Sequence, residues 1–233
     1  MLSIVAVTQA EWFTPKILVD NRRYNSMRLG RAWAGPFCVQ RLPSEETKGV
    51  PMPFMPSMPA DALVKDVYSI NPQSFRHWLH VEEAIMRGPS AFTAGQRELM
   101  AAYVSRLNSC TYCASSHSEA AVILGVDPLS LDALVTDVEA APIDKRFKPI
   151  FNFLKKLTLT PYKMTGADAD AVYAEGWEER ALHDVIMVCC CFSFMNRLAD
   201  GHGLPSDPTL FKARATRHAQ EGYLAQYQEE TKG

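Results

Sequence analysis

Residues 93–125 read TAGQRELMAAYVSRLNSCTYCASSHSEAAVILG. Thr93 followed three positions later by Gln96 is a capping-box pattern, and it opens a helix that runs to about Asn108. A short break at Asn108-Ser109 leads into a second helix from Cys110 to Leu124, closed by Gly125. Working outward, Ala60-Asp61 starts a helix through Ile70. Pro72 suits the first turn of a helix to Arg87, which stops at Gly88-Pro89. Asp127-Pro128 opens another to about Asp137, and further helices fit 144–158, 165–175, 178–199 and 207–224. No stretch alternates polar and apolar long enough for a strand, so the spacing predicts an all-α fold. The segment 165–199 also pairs a capped helix with an apolar one, as a degenerate copy of 93–124 without its cysteines.

Residues 1–60 differ in composition. They hold seven of the 15 prolines, including Pro51, Pro53, Pro56 and Pro59 alternating with Met and Phe. Proline at that density disfavours helices and sheet ladders. The expected organisation is an irregular Pro/Met-rich arm over 1–60 and a helical domain over 61–233. The net charge of −2 comes with scattered Lys and Arg, so nothing favours a nucleic acid or an anionic membrane. Met1 to Val7 carries no positive n-region, and the apolar run Val185 to Met195 is short for a membrane span. A cytoplasmic protein is expected, a compartment where paired thiols are catalytic or metal-binding more often than structural.

The chemistry concentrates in Cys110-Thr111-Tyr112-Cys113-Ala114-Ser115-Ser116-His117. Cys110, Cys113, His117 and Ala121 share one face of their helix. Both cysteines fall at its amino end, where unpaired N–H groups and the helix dipole favour thiolate. A c-type haem would need His at position 114, a zinc site lacks further ligands, and a thioredoxin fold needs βαβ alternation. Neither a metal nor an organic cofactor is expected, since no Gly-rich loop joins a strand to a helix. Glu98 has Ala94, Ala101, Ala102 and Ser105 as its helical neighbours. That small-residue face lets a second helix approach, so the carboxylate reaches across the hairpin or merely complements the helix dipole. His183 and Asp184, the neighbours His77 and His80, and the run Cys189-Cys190-Cys191 are weaker candidates; the three cysteines read as buried small hydrophobes.

Glu98, eleven intervening residues, Cys110-Thr-Tyr-Cys113, three residues and His117 together resemble the signature of the AhpD-like alkylhydroperoxidases. These belong to the carboxymuconolactone decarboxylase superfamily. Phe194-Met195-Asn196-Arg197-Leu198-Ala199-Asp200-Gly201 is similar to its peroxidase-related branch, and the likeness spans about residues 60–205. The resemblance implies an AhpD-like helical domain that assembles as homodimers, trimers or hexamers. It implies that Cys113 attacks a small-molecule peroxide, that Cys110 resolves the sulfenic acid as a disulfide, and that His117 and Glu98 relay protons. An external dithiol or disulfide reductant, a lipoyl-bearing protein among the choices, would restore the thiols. Tyr112 stands where the best-studied branch has a second histidine, and a phenol is a poor base at neutral pH. A decarboxylase or lactone-processing activity and a non-enzymatic redox switch are the alternatives.

Overall fold

The structure, a computed structural model, describes residues 53–224. Most of the expected arm, 1–52, lies outside the described residues; 53–60 are irregular, with Phe54 N–H donating to the His202 carbonyl at 2.9 Å. Nine α-helices follow, and among the described residues there is no strand. They are α1 (Val64–Tyr68), α2 (Pro72–Arg87), α3 (Ala94–Leu107), α4 (Thr111–Ile123), α5 (Ser130–Thr136), α6 (Lys148–Leu159), α7 (Gly166–Ala174), α8 (Glu179–His202) and α9 (Pro208–Glu221).

Most boundaries follow from local chemistry. Asn71 Oδ1 accepts from Ser74 N–H ahead of Pro72, and Thr93 and Gln96 exchange the reciprocal capping-box bonds. The expected helix 60–70 shrinks to α1 because Ala62 N–H turns back to the Pro59 carbonyl and Leu63 becomes the cap. α5 starts later than Asp127, whose Oδ1 accepts from Leu129 N–H in a local turn. α8 runs past Ala199 to a left-handed Gly203.

α3 is the hub, with α4, α5, α6 and α8 packed around it. Ten of its 14 residues are buried, so it shows no polar stripe. Gly95 lets its first turn touch the end of α4: a Cβ there would lie 2.9 Å from the Leu124 carbonyl oxygen. α8 buries Val185, Val188, Phe192, Met195 and Ala199 at helical spacing. By length and composition α8 is apolar enough to cross a membrane, but half of that window is buried in this core. α7 is tied to α6 by Lys156–Asp168 at 2.7 Å. α9 returns from the far end of the chain to lie along α4, and with α2 it closes the hairpin from outside.

Candidate active site

The α3–α4 turn sets the geometry. Asn108 caps α3, Ser109 takes a left-handed conformation (φ 61°), and Cys110 caps α4, one turn before Cys113. Both thiols are reduced and buried. The thiols are hydrogen-bonded to each other, and Cys113 is also bonded by Asn196 from α8. That contact with Cys110 holds the Cys113 thiol below its usual range; burial opposes the shift, and Asn196 and the Arg214 charge support it. The same contact and burial push Cys110 up. Of the two, Cys113 is therefore the thiol that ionises more readily and Cys110 the one that keeps its proton. Asn196 is held by Asn108, which donates to its Oδ1, and by its own donation to Ser105 Oγ, both at 2.9 Å.

One turn beyond Cys113, His117 meets Glu98 across the hairpin. Nδ1–H donates to Glu98 Oε2 at 2.6 Å, which leaves Nε2 as the ring nitrogen able to exchange a proton. Glu98 has no solvent exposure. Its Oε1 accepts from Arg87 Nη2 at 2.6 Å and from Tyr223 OH at 2.8 Å. Burial alone would raise this carboxyl, but the charges and hydrogen bonds of His117 and Arg87 outweigh it and hold it at about 2. The network is pinned at both ends. Arg87 also donates to the His218 carbonyl. Glu83 accepts from Tyr223 N–H at 2.6 Å, a contact allowed because Gly222 (φ 77°) has no Cβ to strike that carboxylate.

Tyr112 lines a cavity beside Cys113 and His117, but its hydroxyl is engaged elsewhere. Its OH accepts from Val64 N–H at 2.9 Å and from Arg214, and burial pushes the phenol up to about 12. It ties α1 and α9 to α4. Cys113 and His117 line this small, partly open cavity of about 20 Å³, together with Glu82, Ser116, Arg214 and His218. On the other side, fully buried Cys110 forms the floor of an open groove of about 530 Å³, flanked by Arg106, Ser109, Glu119 and Asp132.

The weaker sequence candidates lie elsewhere. His183, His77 and His80 are exposed, and Asp184 accepts from Ser90 and Arg180. Cys189 and Cys191 are buried, whereas Cys190 is exposed, so the run is not uniformly a set of buried hydrophobes. Among the described residues no three His, Cys, Asp or Glu converge as metal ligands. Sequence reasoning did not find Arg87, Tyr223, Arg214 or Glu82. For Glu82 a signal existed: it interrupts the apolar stripe Leu79–Met86 of α2 at i+3.

Residues 72–153 match the carboxymuconolactone decarboxylase family. Two crystal structures share the fold. One is an uncharacterized peroxidase-related protein from Silicibacter sp. TM1040, 28% identical, with a TM-score of 0.56, covering 60% of this chain and 73% of that one. The other is an alkylhydroperoxidase AhpD core, an uncharacterized peroxidase-related protein from Ralstonia eutropha JMP134, 25% identical, with a TM-score of 0.58, covering 64% and 78%. No curated protein matches the chain. With the family match on α2 to α6 and these two neighbours, the helical domain is similar to the AhpD-like members of the carboxymuconolactone decarboxylase superfamily.

Proposed function

We propose that this protein is a thiol-dependent peroxidase working through a dithiol/disulfide cycle. The observation that carries the proposal is the thiol pair itself: Cys113, its ionisation favoured by Cys110 and Asn196, one turn from a histidine hydrogen-bonded to a buried carboxylate. The Cys113 thiolate attacks the terminal peroxide oxygen. The O–O bond breaks, Cys113 becomes a sulfenic acid, and an alcohol or water leaves. The Cys110 thiol then attacks the sulfenic sulfur, forming the disulfide and releasing water. An external dithiol, for which a lipoyl group is the chemical type, reduces the disulfide and is itself oxidised. The open groove over Cys110 suits its approach. His117, oriented by Glu98, exchanges protons with the thiols. The active form is proposed to be a cytoplasmic homo-oligomer, which light scattering in solution would measure.

Turnover separates the alternatives. Repeated consumption of alkyl hydroperoxide with a supplied dithiol, lost in Cys113→Ser, is the expected result. A single oxidation per chain would mark a redox switch. Failure to react with any peroxide would leave the decarboxylase or lactone-processing chemistry that the family's name records.

A further inference from the structure

Glu82 takes no part in the relay above, yet it reaches the same cavity from α2. It is 2% exposed, and its Oε2 is buried with no hydrogen-bond partner. Ser116 Oγ, on α4 between Cys113 and His117, is also buried without a partner and lines the same space. Two buried, unsatisfied polar atoms lining one small cavity are costly unless something polar enters between them. At about 20 Å³ the cavity holds about one water-sized group. Cys113 and the Glu82 carboxyl both line it.

The geometry points to this cavity as the seat of the hydroperoxide group, with Glu82 as the acid that protonates the departing oxygen. It rests on the peroxidase proposal and adds the residue that proposal lacks. The step balances as follows. Cys113 sulfur bonds to the terminal oxygen of ROOH, the O–O bond breaks, and the RO oxygen takes its electron pair together with the Glu82 proton. The products are Cys113 sulfenic acid, ROH and the Glu82 carboxylate. Disulfide closure consumes the Cys110 proton in the released water, so Glu82 regains its proton when the external dithiol reduces the disulfide and Cys113 returns to thiolate. Ser116 is placed to hold the peroxide oxygens.

Charge supports the assignment. Burial, then the nearby Glu98 and Cys113 charges, raise the Glu82 carboxyl to about 8, against the Arg214 charge that lowers it. A neutral acid at physiological pH results, matched to donation. Glu98 and Glu82 are two carboxyls in one site whose surroundings drive them apart, to about 2 and about 8, and such pairs divide base and acid roles. The titratable groups facing Glu82 are Tyr68 of α1, Glu98 of α3, Tyr112, Cys113 and His117 of α4, Cys191 of α8, and Arg214 and His218 of α9, with Glu83 on its own helix.

Leaving-group chemistry tests it. Ethyl hydroperoxide expels an alkoxide that needs a proton; peroxyacetic acid, of similar size, expels a stable carboxylate that does not. In Glu82→Gln, the second-order rate of thiol oxidation by ethyl hydroperoxide should fall ~10²-fold or more. The rate with peroxyacetic acid should fall less than about threefold, since no acid catalysis is lost there. Equal losses with both oxidants, or none, would overturn the role of Glu82 while leaving the peroxidase proposal standing. A wild-type protein that reacts with neither would overturn both. If Glu82→Gln does not fold, wild type carries the test. Its rate with ethyl hydroperoxide should decline as pH passes through about 8, and a flat profile to about pH 9 would exclude Glu82 as the donor.

Discussion

A neutral carboxyl in the core leaves a mark on stability that needs no substrate. Glu82 has a carboxyl near 8 in the folded chain against an ordinary 4.5. Between those values the unfolded chain is ionised and the folded chain is not, so the unfolded state binds fewer protons. Stability therefore falls as pH rises, by about 1.4 kcal/mol per pH unit, until the folded carboxyl itself ionises. The stabilising contribution is complete below about pH 4.5 and lost through about pH 8. At pH 7 the accumulated penalty is about 3 kcal/mol, a large share of the 5–15 kcal/mol typical of domains.

Glu82→Gln removes the ionisation and keeps the shape. The amide brings its own cost in a buried site, so absolute stabilities do not decide the matter; the slope does. Urea unfolding of both proteins at about pH 5, 6 and 7 gives the measurement. The wild-type line should fall more steeply, with the difference approaching about 1.4 kcal/mol per unit. All other titrating groups are common to both proteins and cancel in the comparison. Parallel lines would show that Glu82 does not stay protonated in the folded chain, and the reasoning from its burial would fail.

Mild peroxide should convert Cys110 and Cys113 to a disulfide, read as a loss of two hydrogens by mass spectrometry and reversed by dithiothreitol; sulfinic acid on one cysteine alone would refute the resolving role of Cys110. His117→Gln should slow thiol oxidation ~10²–10⁴-fold at neutral pH and recover at high pH, with Glu98→Gln weaker and the double variant little worse than His117→Gln; additive losses would show that the pair only holds the hairpin together. Arg87→Leu leaves Glu98 short of its closest cationic partner and should destabilise by about 3–5 kcal/mol in urea unfolding. Tyr112→Phe should cost about 1–3 kcal/mol in urea unfolding by orphaning Val64 N–H.

The helical skeleton was legible because its punctuation is local. Pro72, Thr93 with Gln96, and Gly125 at a helix end act within one turn, and they behave in the fold as they read in the chain. Boundaries slipped where a side chain bent the backbone before the helix began, as at Asp127, or where a turn consumed the first residues, as at Pro59 to Leu63. The juxtaposition of Glu98 and His117 was half legible. Small residues around Glu98 permit close approach, but the same spacing suited a dipole-facing acid, and only the folded hairpin shows a 2.6 Å contact. Arg87, Tyr223 and Arg214 were out of reach, since they join the site through the docking of α2 and α9, which no local pattern encodes.

The site's charges follow from that docking. α3 and α4 alone would bury Glu98 against one imidazole, a poor return for desolvating a carboxylate. Arg87 from α2 and Tyr223 after α9 fill the second oxygen, so the anion is fully coordinated and inert as an acid. Glu82, which precedes Arg87 on α2, lacks any equivalent for its Oε2. The cation that acts on it, Arg214, is engaged by Tyr112. His218 adds no charge to the cavity, because burial, then the Arg214 charge, holds it well below its usual range. Two helices docked from outside the hairpin therefore impose opposite protonation states on two glutamates. An ionised carboxyl sits behind the histidine and a protonated one faces the sulfur, an arrangement that takes a proton at one wall of the cavity and gives one at the other.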